Sequence, residues 1–158
     1  MNELERTLTG DSAAAPAAHI LEGLDAELVY RKLPNTPHTI YQELWHLAFW
    51  QQLSLDWMQG LETPYPATAS LGFPPEPDSN PENWSHLRQR FLDGTETAAT
   101  LTREANRLAQ SIRCTSQPGE PVRTMTVREQ LESLAAHSAY HLGRIVLLRK
   151  LNQAWPPV

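Results

Sequence analysis

The sequence has a single cysteine, no cluster of positive charge and no long hydrophobic run, and each absence excludes a class of protein. Because Cys114 stands alone among 158 residues, the chain can form neither an internal disulfide nor a site built from several thiolates. The net charge is −5, and no run of lysines and arginines is longer than two residues. A general nucleic-acid-binding surface needs a basic patch, so we expect no nucleic-acid partner.

The longest uninterrupted apolar stretches, such as residues 47–50 and 145–148, are very short. A membrane-spanning helix needs about 20 apolar residues. The first residues also lack the basic and apolar segments of a secretory signal. We therefore expect a cytoplasmic protein with no membrane contact. With 158 residues, 41% of them hydrophobic, the chain is long enough for one domain over residues 1–158, with its core at about 16–157.

Two long helices are predicted by their N-terminal caps. Each begins with a threonine that has a Gln or Glu three residues later, the pattern of a capping box. The two pairs are Thr39 with Gln42 and Thr126 with Glu129. The second helix of the chain is predicted over residues 40–59 and the last helix over residues 127–151. Apolar residues at spacings of three and four continue through both segments.

Two further helices complete the prediction. One starts at Pro16, is weakened by Gly23 and is capped again by Asp25. The other is predicted over residues 81–110, and residues 4–8 form at most a short helix. Four helices joined by loops predict an all-α fold, a four-helix bundle.

The connections follow from proline and glycine. Six prolines in residues 63–81 exclude a helix there, and a loop of that length in a compact domain is either functional or poorly ordered. Residues 114–123 contain Pro118 and Gly119, which predict a turn or a small hairpin.

Histidines in the last helix carry the strongest chemical signal. His137 and His141 are four residues apart, so they lie one turn above each other on the same helix face. That face is otherwise apolar: Val127, Leu131, Leu134, Ile145 and Leu148. Imidazoles in an apolar interior need partners, and one metal ion would satisfy both. His46, near the middle of the second helix, is the best third ligand, and three ligands leave positions open for water or substrate.

Each histidine also has a structural interpretation, in which protein groups satisfy it. His38 suits a surface or capping role, and His19 and His86 suit plain structural roles. Glu43 lies one turn before His46 and is open to three interpretations: a solvated carboxylate, a hydrogen-bond acceptor for a ligand, or a catalytic general base. Imidazole ligands suit zinc, nickel, iron or copper.

The sequence motifs of other metal and catalytic sites are incomplete or absent. Glu43-x-x-His46 is half of the di-iron bundle pattern, but the chain has no second E-x-x-H. The metalloprotease H-E-x-x-H, glycine-rich phosphate loops and the G-x-S-x-G elbow are absent. The second helix is apolar on more than one face, with Trp45 and Phe49 pointing away from Leu44. We therefore expect a second subunit to cover part of it, as a two-fold homodimer.

Two segments together resemble the DinB-like (YfiT-like) family of metal-dependent enzymes. Pro37-His38-Thr39-Ile40-Tyr41-x-x-Leu44-x-His46-x-x-x-Trp50 resembles the signature of its second helix. His137-Ser138-x-Tyr140-His141-Leu142-Gly143-x-Ile145-Val146-Leu147-Leu148-Arg149 resembles that of its fourth. Leu21-Glu22-Gly23-Leu24 is similar to the first helix of the family, and Trp155-Pro156-Pro157 to its tail.

The resemblance implies a four-helix bundle with up-up-down-down connections, commonly dimeric, that holds a divalent metal on three histidines. At matching positions these are His46, His137 and His141. Zinc or nickel is the first expectation and iron the second. Related members include transferases and isomerases that use a low-molecular-weight thiol. Arg144 stands where the family often has glutamine, and we expect it to face away from the ligands.

Two hypotheses follow. The first is a metal-dependent enzyme that acts on a small molecule, either as a hydrolase or as a low-molecular-weight-thiol-dependent transferase, with residues 63–81 and Trp50 or Trp57 walling its pocket. The second is a non-catalytic metal-binding or stress-related dimer, in which the bundle serves as an interaction module. A site closed by a fourth protein ligand would favour the second.

Overall fold

The computed structural model describes residues 1–74 and 82–157. Helices hold 57% of these described residues. The α-helices are α1 (Glu3–Thr9), α2 (Ala17–Ile20), α3 (Ala26–Tyr30), α4 (Ile40–Met58), α5 (Trp84–Leu101), α6 (Ala105–Leu108) and α7 (Val127–Leu151). A 3-10 helix spans Ala69–Gly72, and two short strands are β1 (Ser111–Cys114) and β2 (Arg123–Thr126). The all-α prediction is confirmed, apart from this small hairpin.

Two long helices, α4 and α7, form the centre of the fold. Both predicted capping boxes are present, at Thr39 and at Thr126. Leu44 near the start of α4 shares a hydrophobic cluster with Leu148 near the end of α7. Met58 at the end of α4 shares a second cluster with Val127 at the start of α7. The two helices therefore run antiparallel, and their middles face each other between the clusters.

The N-terminal segment is divided as the sequence predicts. Pro16 precedes α2, Gly23 adopts a positive φ of 65°, and the Asp25 side chain accepts from the Leu28 N–H to cap α3. Arg149, only 2% exposed, donates from α7 to the carbonyls of Ile20 and Glu22. Its guanidinium thereby satisfies backbone acceptors left free at the end of α2.

The bounds predicted for the helix over residues 81–110 are wrong at both ends. Asn83 caps α5, which starts at Trp84 and ends at Leu101 instead of continuing to residue 110. The reason lies in a distant segment, α1. The Asn2 side chain donates to the Thr102 carbonyl, and Arg103 pairs with buried Glu5 at 2.7 Å. These contacts fix the chain in a turn before the short helix α6.

Strands β1 and β2 pair antiparallel, which confirms the hairpin predicted around Pro118 and Gly119. The prediction that residues 63–81 contain no helix is wrong for the short 3-10 turn at Ala69–Gly72. Residues 75–81 of that loop lie outside the described residues. No helix in the described ranges is long and apolar enough to cross a bilayer.

Candidate metal centre

The middles of α4 and α7 bring together three histidines: His46, His137 and His141. One ring nitrogen from each lies within 4.8 Å of the other two. His46 Nε2 and His137 Nε2 are 3.2 Å apart. The structure thus places the three residues singled out by spacing in one cluster, whereas His19 and His86 are exposed elsewhere.

Protein acceptors orient two of the rings through their other nitrogens. His46 Nδ1 donates to the Gly72 carbonyl at 2.7 Å, and His141 Nδ1 donates to Glu43 Oε2 at 2.6 Å. A proton on Nδ1 leaves the lone pair of a neutral imidazole on Nε2. His46 and His141 are therefore both set to offer Nε2 as a ligand atom.

Burial keeps the rings neutral. Burial, together with the neighbouring histidines, lowers the pKa of His46 and that of His137 to about 4. At neutral pH both imidazoles are unprotonated, which is the form that binds metal.

Glu43 is buried beneath the cluster, with 1% of its surface exposed. One carboxylate oxygen accepts from His141, and the other lies 2.9 Å from Arg144 Nη2. The interpretation of Glu43 as a solvated carboxylate is therefore wrong. Its contacts favour the role of acceptor that orients His141, and its role as a general base stays a prediction.

Arg144 does not face away from the ligands, so that expectation is wrong. Side chains on a helix point back over the preceding turn. Arg144 accordingly passes 5.7 Å from the centre of the Tyr140 ring and reaches Glu43. It places a positive charge on the carboxylate that holds His141.

The proline-rich loop supports His46, a role that the sequence did not reveal. The Phe73 ring stacks on the His46 ring at 4.2 Å between centroids, and half-buried His38 stacks on Phe73 at 4.0 Å. A Cβ on Gly72 would lie 2.9 Å from Trp50 Nε1, so the loop approaches α4 closely only because residue 72 is glycine. No local pattern marks these contacts, since they join segments 26 residues apart.

A pocket of about 620 Å³ opens beside the cluster, between α4, α7, the hairpin and the loop before the 3-10 helix. His46 and His137 form part of its wall. Trp50 and Trp57, the two tryptophans predicted as walls of a pocket, also line it, together with Tyr65. The volume suits a small molecule.

The donor set fits a divalent transition metal. It has three imidazole nitrogens, two rings oriented by acceptors and two kept neutral by burial. Within residues 1–74 and 82–157, the cluster contains no fourth His, Cys, Asp or Glu. Three ligands beside a pocket are the arrangement of an open site.

Comparison with known families identifies the family of the chain. The sequence model of the family described as the DinB superfamily matches residues 11–145. No curated protein matches the chain.

Proposed function

Because the chain belongs to the DinB superfamily, we propose that it is a metal-dependent enzyme that acts on a small molecule through His46, His137 and His141. The observation that carries this proposal is the convergence of the three histidines at the wall of a 620 Å³ pocket. The absence of a fourth ligand in the described cluster supports an enzyme over a purely structural metal site.

Each residue of the candidate metal centre has its own role in this proposal. The three histidines would hold zinc, nickel or iron, Glu43 fixes the orientation of His141, and the Gly72 carbonyl fixes that of His46. A bound divalent ion would supply Lewis acidity, which lowers the pKa of a water or a thiol.

Two reaction classes share this chemistry: hydrolysis, and transfer of a low-molecular-weight thiol. A panel of esters and amides tests the first class, and consumption of a thiol with a small electrophile tests the second. Activity in either panel should be lost with chelator, restored by added metal and absent from His137→Ala. If the metal-loaded protein turns over neither panel, the non-catalytic metal-binding or stress-related dimer becomes the better account.

The assembly is part of the same proposal. The helices would connect as an up-up-down-down four-helix bundle, and two copies would associate as a homodimer. Half-buried Trp45 and Phe49 support the dimer, because they stack on each other on α4 at 5.5 Å while most of that helix is buried within its own chain.

A further inference from the structure

The pocket beside the histidines is elongated and has two chemically different ends. It follows one face of α7 from Gln130 through Ser133 to His137, a distance of about 10 Å at 1.5 Å per residue. Aromatic side chains wall it along α4. At the end away from His137, the hairpin contributes a polar wall: Thr115, Ser116, Gln117, Glu120 and Arg123.

The hydroxyl of Ser116 lacks a partner. Its Oγ is buried in the pocket wall and has no hydrogen bond to any described residue. A buried hydroxyl without a partner is costly, and native proteins rarely leave one. A bound molecule with an acceptor group would satisfy it.

Arg123 supplies a positive charge to the same pocket wall as Ser116. It is the register partner of Cys114 across the hairpin, so the two side chains project from the same face of the ladder, the face that lines the pocket. Its guanidinium donates to Met125 Sδ at 3.3 Å, a weak acceptor. Among the described residues, no carboxylate lies within ion-pair distance of it.

Glu120 supplies the opposite charge on the same wall. The turn before β2 fixes its backbone: the Glu120 N–H donates to the Gln117 carbonyl at 2.9 Å, and Gly119 has a φ of 92°. Pro118 followed by a glycine with positive φ is typical of a type II turn. Within residues 1–74 and 82–157, Glu120 likewise has no ion-pair partner.

We infer that the hairpin end of the pocket binds the zwitterionic α-amino-acid end of a small substrate. Arg123 and Ser116 donate to its carboxylate, and Glu120 accepts from its ammonium group. A simple anion would be repelled by Glu120, and a simple cation by Arg123, so the pair of charges favours a ligand that carries both. That the reacting group then faces the histidines rests on the proposed function.

Three probes of one size test this inference: L-phenylalanine, phenethylamine, which lacks the carboxylate, and 3-phenylpropionate, which lacks the ammonium group. Each phenyl ring would lie against the aromatic wall, so tryptophan fluorescence reports binding. We expect L-phenylalanine to bind at least about 10-fold more tightly than either analogue, since each lost contact to a charged group is worth about that factor. Equal binding of all three probes, or no saturable response to any, would overturn the inference.

Variants assign each contact. Arg123→Gln and Ser116→Ala should weaken L-phenylalanine and 3-phenylpropionate by about 10-fold. Ser116→Ala should leave phenethylamine unchanged, whereas Arg123→Gln should strengthen it because the repelling charge is gone. Glu120→Gln should weaken L-phenylalanine and phenethylamine and strengthen 3-phenylpropionate for the same reason. Ser116→Ala should not lower the melting temperature, because its hydroxyl has no bond to lose. Arg128→Gln, on the exposed face of α7, is the control for loss of charge. An Arg123 variant that binds L-phenylalanine like the wild type would contradict the assignment.

The same titrations with zinc-loaded and chelator-treated protein separate the two proposals. The discrimination among probes needs no metal and should persist in both. Discrimination without zinc binding would contradict the proposed function alone. Zinc binding without discrimination would contradict the amino-acid subsite alone.

Discussion

Glu43 and His141, 98 residues apart, are joined by a hydrogen bond of 2.6 Å between Oε2 and Nδ1. Both side chains are buried, and the bond connects the middles of α4 and α7. It therefore links the packing of the two central helices to the orientation of a histidine in the candidate metal centre. Carboxylates in this position commonly raise the basicity of a ligand and fix its ring.

Replacing Glu43 with glutamine keeps the shape of the side chain and removes its charge. We expect the affinity for zinc to fall about 10- to 100-fold, the usual effect of losing a partner that orients a ligand. Competition with a chromophoric chelator measures that affinity. Glu132→Gln is the matched control, because Glu132 is an exposed carboxylate on α7.

The same variant separates the two roles of Glu43. Weaker zinc binding supports the orienting role. Unchanged zinc affinity together with lost turnover would instead support the general base.

Gly72→Ala tests the support that the loop gives to His46. The added Cβ would lie 2.9 Å from Trp50 Nε1, so the loop must shift and disturb the bond from His46 to the Gly72 carbonyl. We expect weaker zinc binding and a lower melting temperature. Gly143→Ala is the control. Gly143 lies within α7, and a Cβ there would have no atom within 4 Å, so the alanine should stabilise the helix by about 0.5–1 kcal/mol. Equal zinc affinity in both variants would contradict a role for Gly72.

The parts of the fold that local chemistry determines were predictable. The capping boxes at Thr39 and Thr126 and the break between α2 and α3 depend on residues within a few positions of each other. The end of α5 was not predictable, because Asn2 and Glu5 fix it from about 100 residues away. Helix periodicity contains no information about such a contact.

The sequence likewise predicts some residues of the candidate site and not others. The spacing of His137 and His141 on one helix face predicts them as ligands, and the position of His46 near the middle of its helix predicts the third. The prediction that Arg144 faces away from the ligands is wrong, because its position on the helix does not show how far its long side chain reaches. Gly72, in a proline-rich loop without periodicity, gave no signal of its contact with His46.

Acid should destabilise the metal-free protein. The pKa of His46 and of His137 is about 4 in the folded protein, below the ordinary 6.5. Between these values the unfolded chain binds protons at both positions and the folded chain does not, so the free energy of unfolding falls as the pH drops from about 6.5 towards 4. Thermal melts with chelator present measure this dependence. His137→Ala should flatten it and His19→Ala should not; the same slope in both variants would contradict the assignment.

The dimer is tested by mass. Light scattering at micromolar concentration should give twice the chain mass of 17.8 kDa. Trp45→Gln should shift the protein towards monomer, since it places a polar group on the half-buried face of α4. A wild-type monomer at that concentration would contradict the proposed assembly.

Metal content and its effect on stability test the central claim most directly. Protein purified without an affinity tag should contain about one divalent transition-metal ion per chain, and a chelator should lower its melting temperature, because a metal that binds only the folded form adds to folding stability. His141→Ala should lose the metal and the response to chelator, whereas His19→Ala should keep both. If His141→Ala retains full metal occupancy and the wild-type response to chelator, the three-histidine centre is wrong.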